Sequence, residues 1–328
     1  MPIQTVRTRT VMAGINPIRP VLRNSKGENF VSSVNLRRAL CVLIGAVVAS
    51  AVLAIAGECG AAMIFIVTDN DGAEAGYATF LEDHSYTVDV SESQEFRGSL
   101  SADQRTTLES YDLVIVSRNT SSGSYNRPND WNTLDVPILL HSPYLSRRNR
   151  WAWQADDEPN GRNAADFGVG RVRDDGNPDF LPEDVIDHPV FSGIDFTTVN
   201  SAQTGEREGI AFAGSGHGTQ TTRDNTGTRG GTSGTWLLSE LAYETAVLID
   251  FTDAIGDPFY GDSSQTIHDR RVFFSFTGSY GDFDDIPLTA AGERLLLNTV
   301  TFAIPEPGAA LLVLWALVCG LLVRRRRG

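Results

Sequence analysis

Residues 63–68 form a continuous apolar run that stops at Asp69-Asn70-Asp71-Gly72. A run without polar alternation is buried on both faces, so it predicts a central parallel strand leading into a turn. Residues 73–83 carry Tyr77, Phe80 and Leu81 at helical spacing, and 86–90 predicts a short strand. Ser101 with Gln104 three residues on is a capping box, predicting a helix that ends near Tyr111. Two further apolar runs, 113–117 and 136–141, predict a third and a fourth strand. This βαβαβ rhythm predicts an α/β domain with a doubly wound sheet. The second half is less regular. Residues 155–187 are rich in Asp, Asn, Gly and Pro, and 214–234 are Gly- and Thr-rich, so both predict loops, the second a flexible one. Strand-like runs stand at 210–213, 236–238, 246–251 and 271–276, and Thr289 opens a helix through Phe302.

The two ends follow another pattern. Arg37 and Arg38 precede an uncharged apolar stretch closed by Ala54-Ile55-Ala56, the small-x-small signature of a signal-peptidase site. Residues 1–56 therefore predict an N-terminal extension and signal peptide, handled by the secretion machinery. A retained membrane anchor is the other reading. At the far end Pro305-Glu306-Pro307 is followed by apolar residues 308–323 and by Arg324, Arg325, Arg326 and Arg327. That apolar helix would span about 24 Å, against a hydrocarbon core of about 30 Å. The arginines would hold its end in the cytoplasm.

Charge sharpens the division. The chain of 328 residues has a net charge of −14, but residues 57–303 hold 16 basic and 39 acidic residues, a net −23. Such an acidic excess repels phosphates, so nucleic acid is not expected as a partner. Cys41 and Cys319 lie in the terminal segments, leaving the body only Cys59. It can form neither an internal disulfide nor a cysteine-rich zinc site.

The three-part tail, 304–328, resembles the PEP-CTERM sorting signal of Gram-negative bacteria. That resemblance implies a membrane helix at 308–323, recognition by an exosortase, and release or attachment at the cell surface or in an extracellular matrix, often one rich in exopolysaccharide. Residues 57–303 resemble secreted proteins of the class I glutamine amidotransferase-like (ThuA-like) fold. The resemblance rests on the opening strand with its Asp-rich turn, YDLVIVSRNTSSG (111–123), VPILLHSPYL (136–145), DHPVFSGI (187–194), and RRVFFSF with LTAAGERLLLNTVTFA (270–303). It implies a flavodoxin-like, mostly parallel sheet with helices on both faces, plus an irregular β/loop insertion.

Amidotransferases of this fold carry a Cys nucleophile on a Gly-flanked elbow after a strand. Here the matching strand ends in His141-Ser142-Pro143, with no Cys and no Gly-flanked elbow. Pro143 also lacks the N–H that an oxyanion would need. Amidotransferase activity is therefore not expected. Open α/β sheets bind ligands beyond the carboxyl ends of their strands. Those ends collect Asp69, Asn70, Asp71, Arg118, Asn119, His141 and Ser142, with Asp282 from the loop after the last strand. Such a rim, acidic with one Arg, suits sugar hydroxyls or Ca²⁺ through Asp69 and Asp71, though the EF-hand pattern is not completed. The competing explanation of residues 69–72 is turn chemistry between strand and helix. No other cofactor is expected.

Trp131, Trp151, Trp153 and Tyr144 would stack on sugar rings if exposed and pack in the core if not. Two functions follow. One is an exported, surface-sorted, non-catalytic module that binds extracellular polysaccharide. The other is a carbohydrate-active or other hydrolase using the strand-end rim, with Ser142 as nucleophile and His188, His217 or His268 as base, its neighbour His141 pointing to the opposite face.

Overall fold

The computed structural model describes residues 61–154, 159–162, 166–169, 187–194, 209–211, 219–223, 234–240, 245–259, 262–275 and 288–305. Ala54 and Ala56 of the signal segment, His217, Asp282 and the tail from Glu306 onward lie outside the described residues.

Thirteen strands occur among them. The first four are β1 (Met63–Val67), β2 (Thr87–Val90), β3 (Leu113–Val116) and β4 (Ile138–Leu140). Next come β5 (Pro159–Arg162), β6 (Asp166–Val169), β7 (Gly209–Ala211), β8 (Thr219–Arg223) and β9 (Thr235–Glu240). The last are β10 (Thr245–Asp250), β11 (Pro258–Phe259), β12 (Asp262–Thr266) and β13 (Arg271–Phe274). The helices are α1 (Asp71–Glu82), α2 (Ala102–Leu108), α3 (Pro128–Trp131), α4 (Pro143–Ser146) and α5 (Ala290–Ala303).

Strands β2, β1, β3, β4 and β13 stand side by side in that order, all parallel. This is the order of a doubly wound sheet, in which the chain turns from β2 back across β1. Alternation along each strand explains why both faces are covered. Ile64, Ile66, Leu113, Ile115, Leu139, Val272 and Phe274 face one layer, with Tyr77 and Leu81 of α1 and Leu295, Leu296 and Val300 of α5. Phe65, Val67, Val114, Val116, Ile138, Leu140 and Phe273 face the other, with Leu108 of α2, Trp131 of α3 and Leu145 of α4. The capping box forms as expected: Ser101 Oγ accepts from Gln104 N–H at 3.1 Å and Gln104 Oε1 from Ser101 N–H at 2.9 Å.

Beyond β13 the sheet turns antiparallel through β10, β9, β6 and β7, with β8 and β5 branching from β10. Three of these strands correct the loop expectation. β5 and β6 lie within 155–187, and β8 within 214–234. None carries an apolar run, because a ladder is satisfied by backbone groups and β8 needs only its β-branched threonines. No helix among the described residues is long and apolar enough to cross a membrane. The apolar stretch 308–323 is not among them.

Candidate functional site

The carboxyl ends of β1 and β3 define the point where the winding reverses, the place where such sheets open a ligand crevice. Here the chain's own groups occupy it. Asp69, just past β1, accepts Arg97 Nε at 2.8 Å and Arg97 Nη2 at 2.9 Å in a bidentate pair. Its two oxygens also accept Ser121 N–H at 2.8 Å and the Tyr125 hydroxyl at 3.0 Å. Asp69 N–H donates in turn to Asn119 O at 3.2 Å. The carboxylate that the sequence offers to a metal or sugar is thus consumed in joining the loops after β1, β2 and β3. Burial and the adjoining Asp69 charge both push the Tyr125 phenol well up, so it stays a donor.

Asn70 and Asp71 are exposed. Asp71 Oδ1 accepts the Ser93 hydroxyl at 2.8 Å and Gly72 N–H at 3.0 Å. Those two donors, Ser93 first, hold its carboxyl below the usual range. With Glu74 it places negative charge on the first turn of α1, where the helix dipole favours it. Among the described residues no three His, Cys, Asp or Glu side chains gather as a metal site would require.

A second, deeper polar group runs along the strand ends. Asn119 Nδ2 donates to buried Glu74 Oε1 at 2.8 Å. Arg118, 2% exposed, lies over the Tyr144 ring at 4.6 Å, and Arg147 approaches the same ring at 5.5 Å. The loops after β3 and β4, residues 118–127 and 141–154, carry Arg118, Arg127, Arg147, Arg148 and Arg150 and no carboxylate. These arginines stand on the β3 and β4 side of the strand ends, across from Asp69 and Asp71.

His141 follows β4 and is 1% exposed. Its Nδ1 lies 2.7 Å from Phe274 O, and its Nε2 lies 3.0 Å from the Tyr77 hydroxyl. A carbonyl only accepts, so Nδ1 carries the proton and Nε2 receives the Tyr77 O–H. Burial lowers the imidazole to about 4 and pushes the Tyr77 phenol well up. Both ring nitrogens are engaged, and neither meets Ser142. The Ser142 hydroxyl is buried without a hydrogen-bond partner among the described residues. Its backbone (φ −87°, ψ 105°) is ordinary extended chain, not the strained turn of a nucleophile elbow. The other described histidines stand elsewhere. His84 bonds Phe80 O beside α1, His188 meets Asp250 at 3.4 Å, and His268 lies 3.9 Å from Asp135.

Trp131, Trp151 and Trp153 are all fully buried, so they pack and offer no sugar platform. Tyr144 is the half-exposed aromatic of the rim. The sequence pattern placed Tyr77 only on the packing face of α1, and Glu74 and Arg97 were not among the candidate residues. Glu74 and Tyr77 sit three apart on the buried side of α1, a spacing visible in the sequence. Arg97, in a loop, gave no signal.

The buried imidazole makes stability depend on pH. The unfolded His141 gains a proton near pH 6.5 and the folded one only near 4. Its contribution is complete above pH 6.5 and is lost as the pH falls to about 4, by about 3 kcal/mol in all. Urea unfolding of the native chain and of His141→Gln is expected to show the difference between them shrinking by about 2–3 kcal/mol from pH 7 to 4.5. Parallel curves would mean that His141 protonates as it does in water.

These features define a mixed α/β protein in which the strand-end residues Asp69 and His141 are engaged by the chain's own groups. No family model matches the chain, and no curated protein matches it. Among solved structures, a protein from Thermoplasma acidophilum described as part of a GMP synthase aligns over 74% of this chain and 94% of its own. The identity is 8% and the TM-score 0.39. The reading of the site therefore rests on its own geometry.

Proposed function

We propose that the chain is an exported cell-surface or matrix protein whose α/β domain is a non-catalytic module, sorted by its tail through an exosortase. The observation that supports the non-catalytic reading is the locked pair at the end of β4. His141 is held by Tyr77 and Phe274 O, and Ser142 sits on unstrained backbone with no hydrogen-bonded base among the described residues. A hydrolase built on Ser142 needs a histidine within hydrogen-bond reach of its hydroxyl, and His188 and His268 pair with Asp250 and Asp135 instead. The sorting half of the reading is supported by the order of Pro305-Glu306-Pro307, apolar stretch and arginines in the sequence. An interaction with extracellular polysaccharide belongs to the proposal at the outer rim, where Asn70, Asp71 and Tyr144 reach solvent. Glycan arrays with and without Ca²⁺ read it.

The deciding experiment is fractionation of the producing cell. The native chain is expected at the surface or in the medium without its tail. The Glu306→Ala chain is expected as a full-length precursor in the membrane. Identical processing of both would refute the sorting half, and glutamine hydrolysis by the purified protein would refute the other.

A further inference from the structure

Helix α5 ends where the sorting motif begins. Ile304 N–H makes the last helical bond, to Val300 O at 3.2 Å. Ile304 itself is extended (φ −79°, ψ 123°), the conformation favoured before a proline. Several contacts fix this last turn. Arg270, just ahead of β13, donates through Nη1 to Phe302 O and Ile304 O. Its guanidinium lies 4.7 Å from the centre of the Phe302 ring, and the His188 ring packs edge-on against that ring at 4.6 Å. The Tyr86 and Thr301 hydroxyls meet at 2.8 Å. Ala303 is buried and Ile304 packs on the core. Pro305, the first motif residue, is exposed and bonded directly to this clamped turn.

An enzyme that cuts a chain engages several residues around the bond as an extended strand. Upstream of Pro305 those residues are tied into α5, and they become available only when its last turn opens locally. We propose that the Arg270 clamp gates processing of the tail, so that sorting proceeds at the rate at which the end of α5 is released. This rests on the sorting reading given above. In the processing step a peptide bond at the motif breaks. Its acyl carbon passes to the enzyme's nucleophile and on to water or an acceptor amine, and the amine half leaves with the tail. Arg270 takes no part in that chemistry and acts on access alone.

The test is a pulse–chase of tail release from four full-length chains in the producing cell. They are the native chain, Arg270→Gln, a chain with six Gly/Ser residues inserted between Ile304 and Pro305, and Arg294→Gln. Arg294, exposed on α5 away from the clamp, controls for the charge change. Losing a charge-assisted hydrogen bond and a cation–π contact is expected to speed release roughly fivefold to tenfold in Arg270→Gln. The insertion is expected to be at least as fast, and Arg294→Gln to match the native chain. Equal rates in all four, with release occurring, would overturn the clamp and leave the sorting reading standing. No release from any chain would overturn the sorting reading and the gate with it. Hydrogen exchange at the Ile304 amide, measured on the purified full chain, reports the clamp independently of processing. Protection in the native chain that falls in Arg270→Gln supports it, and equal exchange in both overturns it.

Discussion

Replacing Arg271 by methionine is expected to lower the melting temperature by about 8–16 °C, a loss of about 4 kcal/mol. Arg271 is the first residue of β13 and is fully buried. Its Nη1 donates to Val136 O at 2.8 Å, and its Nη2 to Leu134 O at 2.7 Å and Asn132 O at 3.3 Å. One guanidinium thus satisfies three carbonyls of the segment that leads into β4. Burial lowers its pKa to about 10, so it is still a cation at neutral pH. Asn132, Leu134 and Val136 are themselves buried, so no water would replace the lost donors. Methionine keeps the packing of the stem and removes the fork, which isolates the hydrogen bonds from the cavity term. Arg271→Lys is expected to recover only part of the loss, because a single ammonium does not span three carbonyls set out for a planar fork. Calorimetry of the three proteins checks this. A methionine variant within 2–3 °C of the native chain, about 1 kcal/mol, would show that these bonds contribute little.

The second large effect belongs to Asp69, and it separates a structural carboxylate from a ligand-binding one. Asp69→Ala is expected to destabilise the domain by about 3 kcal/mol, because Ser121 N–H, the Tyr125 hydroxyl and Arg97 lose one common acceptor. Arg97→Gln is expected to cost about 1 kcal/mol or less. Its side chain is 38% exposed, and water replaces the lost carboxylate. If Asp69 were held in reserve for a metal or a sugar, the ranking would invert. Removing the acid would then relieve an unpaired charge and leave stability unchanged or improved. Denaturant midpoints of the two variants decide between these outcomes.

Much of the parallel core was legible because its strands are buried on both faces. The runs at 63–68, 113–117 and 136–141 contain β1, β3 and β4, and each run is longer than its strand by one to three residues. At the ends of the runs Thr68 N–H turns to Ser91 Oγ, whereas Ser117 and His141 still donate their N–H to Val67 O and Val116 O of the neighbouring strands. The capping boundary at Ser101 and the opening of α5 at Thr289 were equally plain, since both rest on local side-chain bonds to the backbone, two at Ser101 and one at Thr289. The antiparallel extension was not legible in β5, β6 and β8. Their composition is that of loops, and only pairing partners distant in sequence make them strands. The candidate site was half legible. Topology alone located Asp69, Arg118, Asn119, His141 and Ser142 at neighbouring strand ends. It did not show that Arg97 and Tyr125 saturate Asp69, or that Tyr77 closes the second nitrogen of His141. Those partners come from a loop and a helix whose approach is set by packing, and packing has no local spelling in the sequence.

The buried aromatic layer gives the molecule an uneven optical signature. Trp131 and Trp151 stack at 5.2 Å, Trp153 lies against Trp151 at 5.9 Å and stacks on Phe259 at 5.7 Å. Trp236 belongs to the same layer, and the fifth tryptophan, Trp315, is in the tail. The layer formed with α1 and α5 holds no tryptophan. Indole emission from residues 57–303 therefore reports the α2–α4 side of the sheet. An indole fluorescence melt of the chain without its tail would follow that layer, and its agreement with backbone dichroism would measure how tightly the two layers unfold together.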